Sequence, residues 1–80
     1  MSNLTPKMSI KWNLKLEMAR ADVSVTDLAE RSGLSYSAVS KLRNRIPSRL
    51  DMDTLNALCK VLNCKVGDLV EMLVYLMVDL

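Results

Sequence analysis

The chain has 80 residues, half of them apolar, with 11 Lys or Arg against 9 Asp or Glu, no His, two Cys and only two Gly and two Pro. That length suits one small domain, the composition excludes a disordered chain, and the scarcity of Gly and Pro leaves little turn chemistry for an all-β fold. The absence of His removes the commonest metal ligand and general base, and with no Phe and only Trp12, Tyr36 and Tyr75 aromatic, the core must be built from Leu, Val, Met and Ala, a helix-forming mixture.

In chain order, residues 1–8 read as a loose N-terminus. In "IKWNLKLEM" the apolar Ile10, Trp12, Leu14, Leu16 and Met18 alternate with polar residues, which is strand periodicity, yet Leu14, Met18 and Ala21 also share a helical face. The expectation is extended chain from Met8 to Lys11 and helix from about Asn13 to Ala21, broken by Asp22-Val23-Ser24. Val25, Leu28, Ala29 and Ser32 then recur at helical spacing. Gly33 follows where a helix ends in the left-handed conformation that glycine adopts cheaply. Ser35 is a good N-cap for the next helix, whose inward residues are predicted as Val39, Leu42 and Ile46, and Pro47 stops it near Asn44 or Arg45. Asp51 caps a further helix with Leu55, Leu58, Cys59 and Leu62 on its inner face. Asn63-Cys64-Lys65 reads as a turn, and Gly67 and Asp68 open a last short helix to about Met72. The apolar tail, 73–80, suits strand by Tyr75 and Val78 and helix by Leu73, Leu76 and Met77; it is also too short and too interrupted to span a bilayer.

Charge is unevenly spread. Residues 1–50 hold nine Lys or Arg against four acids, a net of +5, whereas residues 51–80 hold two against five, a net of −3. No acid occurs between Gly33 and Leu50, a stretch that contains Lys41, Arg43, Arg45 and Arg49. On a wheel with Val39, Leu42 and Ile46 inward, Ser37, Ser40, Lys41 and Asn44 point outward, flanked by Tyr36 and Arg43. A DNA major groove accepts a helix of this width and offers base edges to such side chains, while the phosphates beside it repel carboxylates. Taken singly, each of these residues has a plainer reading: Tyr36 as a surface aromatic near a cap, each basic residue as solvated surface.

The segment 25–45 resembles the helix-turn-helix of the phage-repressor (Cro-like, XRE-type) DNA-binding family. Ala29, Gly33 and Val39 have the spacing of that motif, and "SKLRN" followed by "MDTLNALCKVLNCKVGDL" is similar to the end of its recognition helix and the two helices after it. The resemblance implies an all-α, five-helix single domain, here with a short two-stranded β-ribbon from the termini as an added expectation. It implies base-edge contacts from Tyr36, Ser37 and Lys41, with Ser40 and Asn44 as additions, and phosphate contacts from Thr26, Arg43, Arg45 and Arg49. Val25 stands where many relatives have Gln, so one phosphate contact of the family is missing. Tyr36 and Ser37 stand where relatives often have Gln or Arg, which shifts weight to Lys41 and to DNA shape.

The implied partner is double-stranded DNA, the implied role transcriptional regulation, more readily repression than activation, in the cytoplasm and with no cofactor or small-molecule ligand. A homodimer is expected, with the apolar tail either at the dimer contact, paired with Met8–Lys11, or closing the monomer's own core over Trp12. The rival class is a protein-interaction module, an antitoxin or adaptor built on the same fold. Catalysis is disfavoured: no His, no phosphate-binding Gly-rich loop, and paired carboxylates only at Asp51 and Asp53, where capping explains them. Cys59 and Cys64 lack zinc spacing, so Cys59 is expected as a buried reduced thiol and no metal site is expected.

Overall fold

The computed structural model describes residues 4–78, with side chains described for residues 10–72. Its order is β1 (Leu4–Trp12), α1 (Leu14–Ala21), α2 (Val25–Ser32), α3 (Tyr36–Asn44), α4 (Met52–Leu62), α5 (Val66–Leu69) and β2 (Val70–Val78). The five helices form one body, and the two strands pair antiparallel as a ribbon in the register Leu4↔Val78 to Trp12↔Val70.

Local sequence sets the helix boundaries. Ser24, Ser35 and Asp51 stand in extended backbone and accept from the N–H groups of Asp27, Ala38 and Thr54, three residues on, at 3.1, 3.0 and 2.7 Å. Each satisfies one of the N–H groups that the first turn of a helix leaves unpaired. The Thr54 N–H bond holds the Asp51 carboxyl below its ordinary 3.8. This cap's contribution is full at neutral pH and is lost as pH falls through the lowered pKa. Three helices end in the left-handed conformation, at Asp22 (φ 55°), Gly33 (φ 80°) and Asn63 (φ 50°).

Gly33 has no atom within 4 Å of where a Cβ would stand, so only backbone strain opposes a side chain there. Gly33→Ala should therefore cost about 1–2 kcal/mol, and Gly33→Asn less, because Asn tolerates this conformation, as Asn63 does. The urea midpoints of the two variants would check the order; equal losses would mean that something other than φ decides the position.

The core is Leu14 and Met18 of α1, Leu28 and Ala29 of α2, Val39 of α3, Leu55, Leu58 and Leu62 of α4 and Leu69 of α5, all buried. Trp12, Val23, Val25, Leu34, Leu42 and Leu50 pack around it. Asn13 ties the two chain ends at the ribbon's root: its backbone N–H donates to the Leu69 carbonyl at 2.8 Å, and its Nδ2 donates to the Asp68 carbonyl at 3.2 Å and to Glu71 Oε1 at 2.9 Å.

Four expectations change. Residues 4–8 belong to β1 rather than to a loose start, while residues 1–3 lie outside the described residues. Both strands of a two-stranded ribbon are edges, which is where Pro6 is tolerated. The tail is strand to Val78, with residues 79–80 outside the description, and α5 ends at Leu69 because pairing with Trp12, Lys11 and Ile10 takes Val70, Glu71 and Met72 into β2. Ile46 is 61% exposed rather than inward: α3 stops at Asn44, and Arg45 is extended (φ −140°), so the helical wheel no longer applies there. Cys59 is half-buried against the core rather than enclosed, and both cysteines are free.

Candidate nucleic-acid interface

α3 is held as a surface helix. Only Val39 among its residues is buried, with Leu42 partly buried against the core. Tyr36, Ser37, Lys41 and Asn44 are exposed and Ser40 half-buried, so the five expected base-edge residues share the outward side of one helix. Of the expected phosphate residues, Thr26, Arg45 and Arg49 are exposed and Arg43 is half-buried.

The basic residues fall on two flanks of α3. Arg43 lines a cleft with Ser24 and Val25 at the start of α2, next to Thr26, and its guanidinium donates to Asn44 Oδ1 at 3.2 Å. Lys41 and Arg49 share a cleft on another side of the helix with Leu50 and Asp51 at the start of α4. Two helix N-termini, each with a partial positive charge, thus lie beside the basic side chains. Arg45 occupies the extended C-cap of α3, whose N–H donates to the Lys41 carbonyl at 3.0 Å.

Trp12 is the residue that sequence reasoning missed at this surface. Its indole Nε1 donates to the Leu42 carbonyl at 2.6 Å. Leu42 lies in the last turn of α3, where helix carbonyls lack intrahelical partners, so the side chain at the ribbon's root caps the end of the exposed helix. Thirty residues separate the two groups, and no local pattern links them. The available signal was the single Trp closing an alternating run, since buried Trp N–H groups need an acceptor.

Away from α3, Glu17, Cys64 and Asp68 come within 4.8 Å of one another at the junction of α1, α4 and α5. Glu17 is buried and pairs with Arg20 at 3.5 Å, while Asp68 Oδ2 accepts the Lys65 N–H at 2.9 Å. Burial, with Cys59 beside it, pushes the Cys64 thiol up to about 11. A thiol so far above neutrality is protonated and a poor nucleophile, so this cluster is partnered structure. Among the described residues, no helix is long and apolar enough to cross a membrane.

Comparison with known proteins accords with this geometry. Residues 13–73 match the family model of the Cro/C1-type HTH DNA-binding domain. The chain is also 38% identical over 64 residues to the uncharacterized HTH-type transcriptional regulator YozG of Bacillus subtilis (strain 168), an alignment that covers 80% of this chain and 76% of that protein. The matched span runs from the N-cap of α1 into β2 and takes in all five helices, leaving β1 outside it.

Proposed function

The chain belongs to the Cro/C1-type HTH DNA-binding domain family, and from that membership we propose that it binds double-stranded DNA sequence-specifically, with α3 in the major groove, as a transcriptional repressor. The observation that carries the reading is the outward face of α3: Tyr36, Ser37, Ser40, Lys41 and Asn44 on one side, no carboxylate anywhere from Gly33 to Leu50, and basic side chains on both flanks. Base-edge contacts fall to those five residues, led by Lys41. Phosphate contacts fall to Thr26 at the start of α2 and to Arg43, Arg45 and Arg49. Repression needs only occupancy of a site, which is what such a surface supplies.

The active form in this reading is a homodimer, which places two α3 helices on half-sites about 34 Å apart on one face of the duplex. Its place is the cytoplasm, and its work is binding rather than catalysis. A protein-only role, as an antitoxin or adaptor, is the rival, favoured by the apolar composition of the C-terminal tail but not by the acid-free face of α3.

The test is fluorescence anisotropy with mixed-sequence duplex DNA at two salt concentrations. A protein that neutralises about six phosphates loses roughly a thousandfold in affinity between 50 and 200 mM salt, and that loss is the expected result. A folded protein that binds no DNA at the lower salt would remove the DNA reading and leave the rival.

A further inference from the structure

α3 is anchored on the body at few points. It packs on α2 and α1, and Val39 is its one buried residue. Leu42 is only partly buried against the core. Beyond Val39 the helix carries Ser40, Lys41, Arg43 and Asn44, and Arg45 follows at its cap. Apolar packing thus fixes the middle of α3 more firmly than the end that carries most of the side chains proposed for DNA contact.

Hydrogen bonding supplies a second fixed point at that end. At the cap, the Arg45 N–H donates to the Lys41 carbonyl at 3.0 Å. The next carbonyl, that of Leu42, accepts from the Trp12 indole Nε1 at 2.6 Å. The donor is itself held: Trp12 pairs with Val70 in the ribbon and packs on the core. Its neighbour Asn13 is 4% exposed and bonds to the Leu69 and Asp68 carbonyls and to Glu71. Such a bond weakens steeply as its angle closes, so a fixed donor resists any swing of the helix end.

We propose that Trp12 is a positioning residue for sequence reading: through the Leu42 carbonyl it sets the tilt of α3, and so the aim of Lys41 and Asn44 at base edges. The proposal deepens the DNA reading above and rests on it. Lever lengths show which contacts depend on the bond. At about 1.5 Å per residue, Asn44 stands about 7–8 Å along the axis from Val39. A tilt of about 10° about Val39 moves that end by about 1.3 Å, where a binding constellation tolerates about 0.5 Å. Phosphate contacts tolerate more, because the attraction of Lys and Arg to a charged backbone reaches about 8 Å at physiological ionic strength. Loss of the bond therefore strikes preference among sequences and spares the part of binding that every sequence shares.

Trp12 is the only Trp in the chain, so its N–H can be removed in two ways. Trp12→Phe keeps an aromatic ring and has no donor. Replacing the Trp supply with 3-benzothienylalanine keeps both fused rings and puts sulfur where the N–H stood. The probes are a mixed-sequence duplex and a duplex selected by the wild type from a randomised pool, each titrated at two salt concentrations, with circular dichroism to show folding. Both altered proteins should bind the mixed duplex with wild-type affinity and salt slope, while preference for the selected duplex falls about tenfold, within the worth of one base contact. If Trp12→Phe does not fold, the sulfur analogue decides. A folded protein without the N–H that keeps its preference overturns the proposal. So does an equal loss of affinity for both duplexes, or failure of both altered proteins to fold, since the bond would then serve only the stability of the body. A wild type that binds no duplex, or binds all alike, removes the sequence-specific reading and the proposal with it; a wild type with a preference that both altered proteins share removes the proposal alone.

Discussion

Leu58→Ala is expected to lower the free energy of unfolding by about 2–5 kcal/mol. Leu58 is fully buried on α4, the helix that packs against α1, α2 and α5, so truncation loses both the transfer of its methyl groups and the contacts of everything around the cavity. A chain of this length has about 4–12 kcal/mol in all, so at the low end of that range the variant would sit at or past its midpoint of stability in water. Leu16→Ala is the matched comparison. Leu16 belongs to the same alternating run as Leu14 but is 50% exposed once α1 forms, and its loss should stay within about 0.5 kcal/mol. Denaturant curves for the pair check this directly. Similar losses at both sites would mean that the helical body is not packed around Leu58 as described.

Lys41→Ala is expected to reduce preference for the cognate site by about 1–3 kcal/mol, the worth of one good base contact. Arg49→Ala should weaken binding to every sequence alike and flatten the salt slope by about one. The contrast is demanding because both side chains line one cleft and neither differs from the other in charge. What separates them in the proposed arrangement is the element each stands on: Lys41 on the outward side of α3, Arg49 in the connection before the Asp51 cap of α4. Competition binding with cognate and mixed-sequence duplexes measures both quantities. Identical behaviour of the two variants would end the division into base-reading and phosphate-holding residues, while leaving DNA binding itself in place.

Much of the helical body was legible in the sequence because its signals are local. A cap acts over three residues, as Ser24, Ser35 and Asp51 do, and a left-handed helix end is a matter of one residue's own backbone, as at Gly33. The outward face of α3 was legible for the same reason: once Val39 and Leu42 are inward, the helix itself carries Tyr36, Ser37, Lys41 and Asn44 to the other side. The wheel failed at Ile46, one residue beyond the extended Arg45 cap. The stretch "IKWNLKLEM" carried both periods, and local propensity could not choose where strand gives way to helix.

Caps, turn residues, the inner faces of the helices and the acid-free stretch from Gly33 to Leu50 were thus determined by the sequence itself, through interactions spanning a turn or less. Only the tertiary structure decided the rest: the length of the ribbon, the end of α5 at Leu69, the bond from Trp12 to Leu42 and the clefts that gather Lys41 with Arg49 and Arg43 with the start of α2. Of these, the Trp12–Leu42 bond and the ribbon join groups 30 to 74 residues apart. Such contacts form only when the two ends of the chain are brought together, and no periodicity along the chain encodes which distant partner waits there.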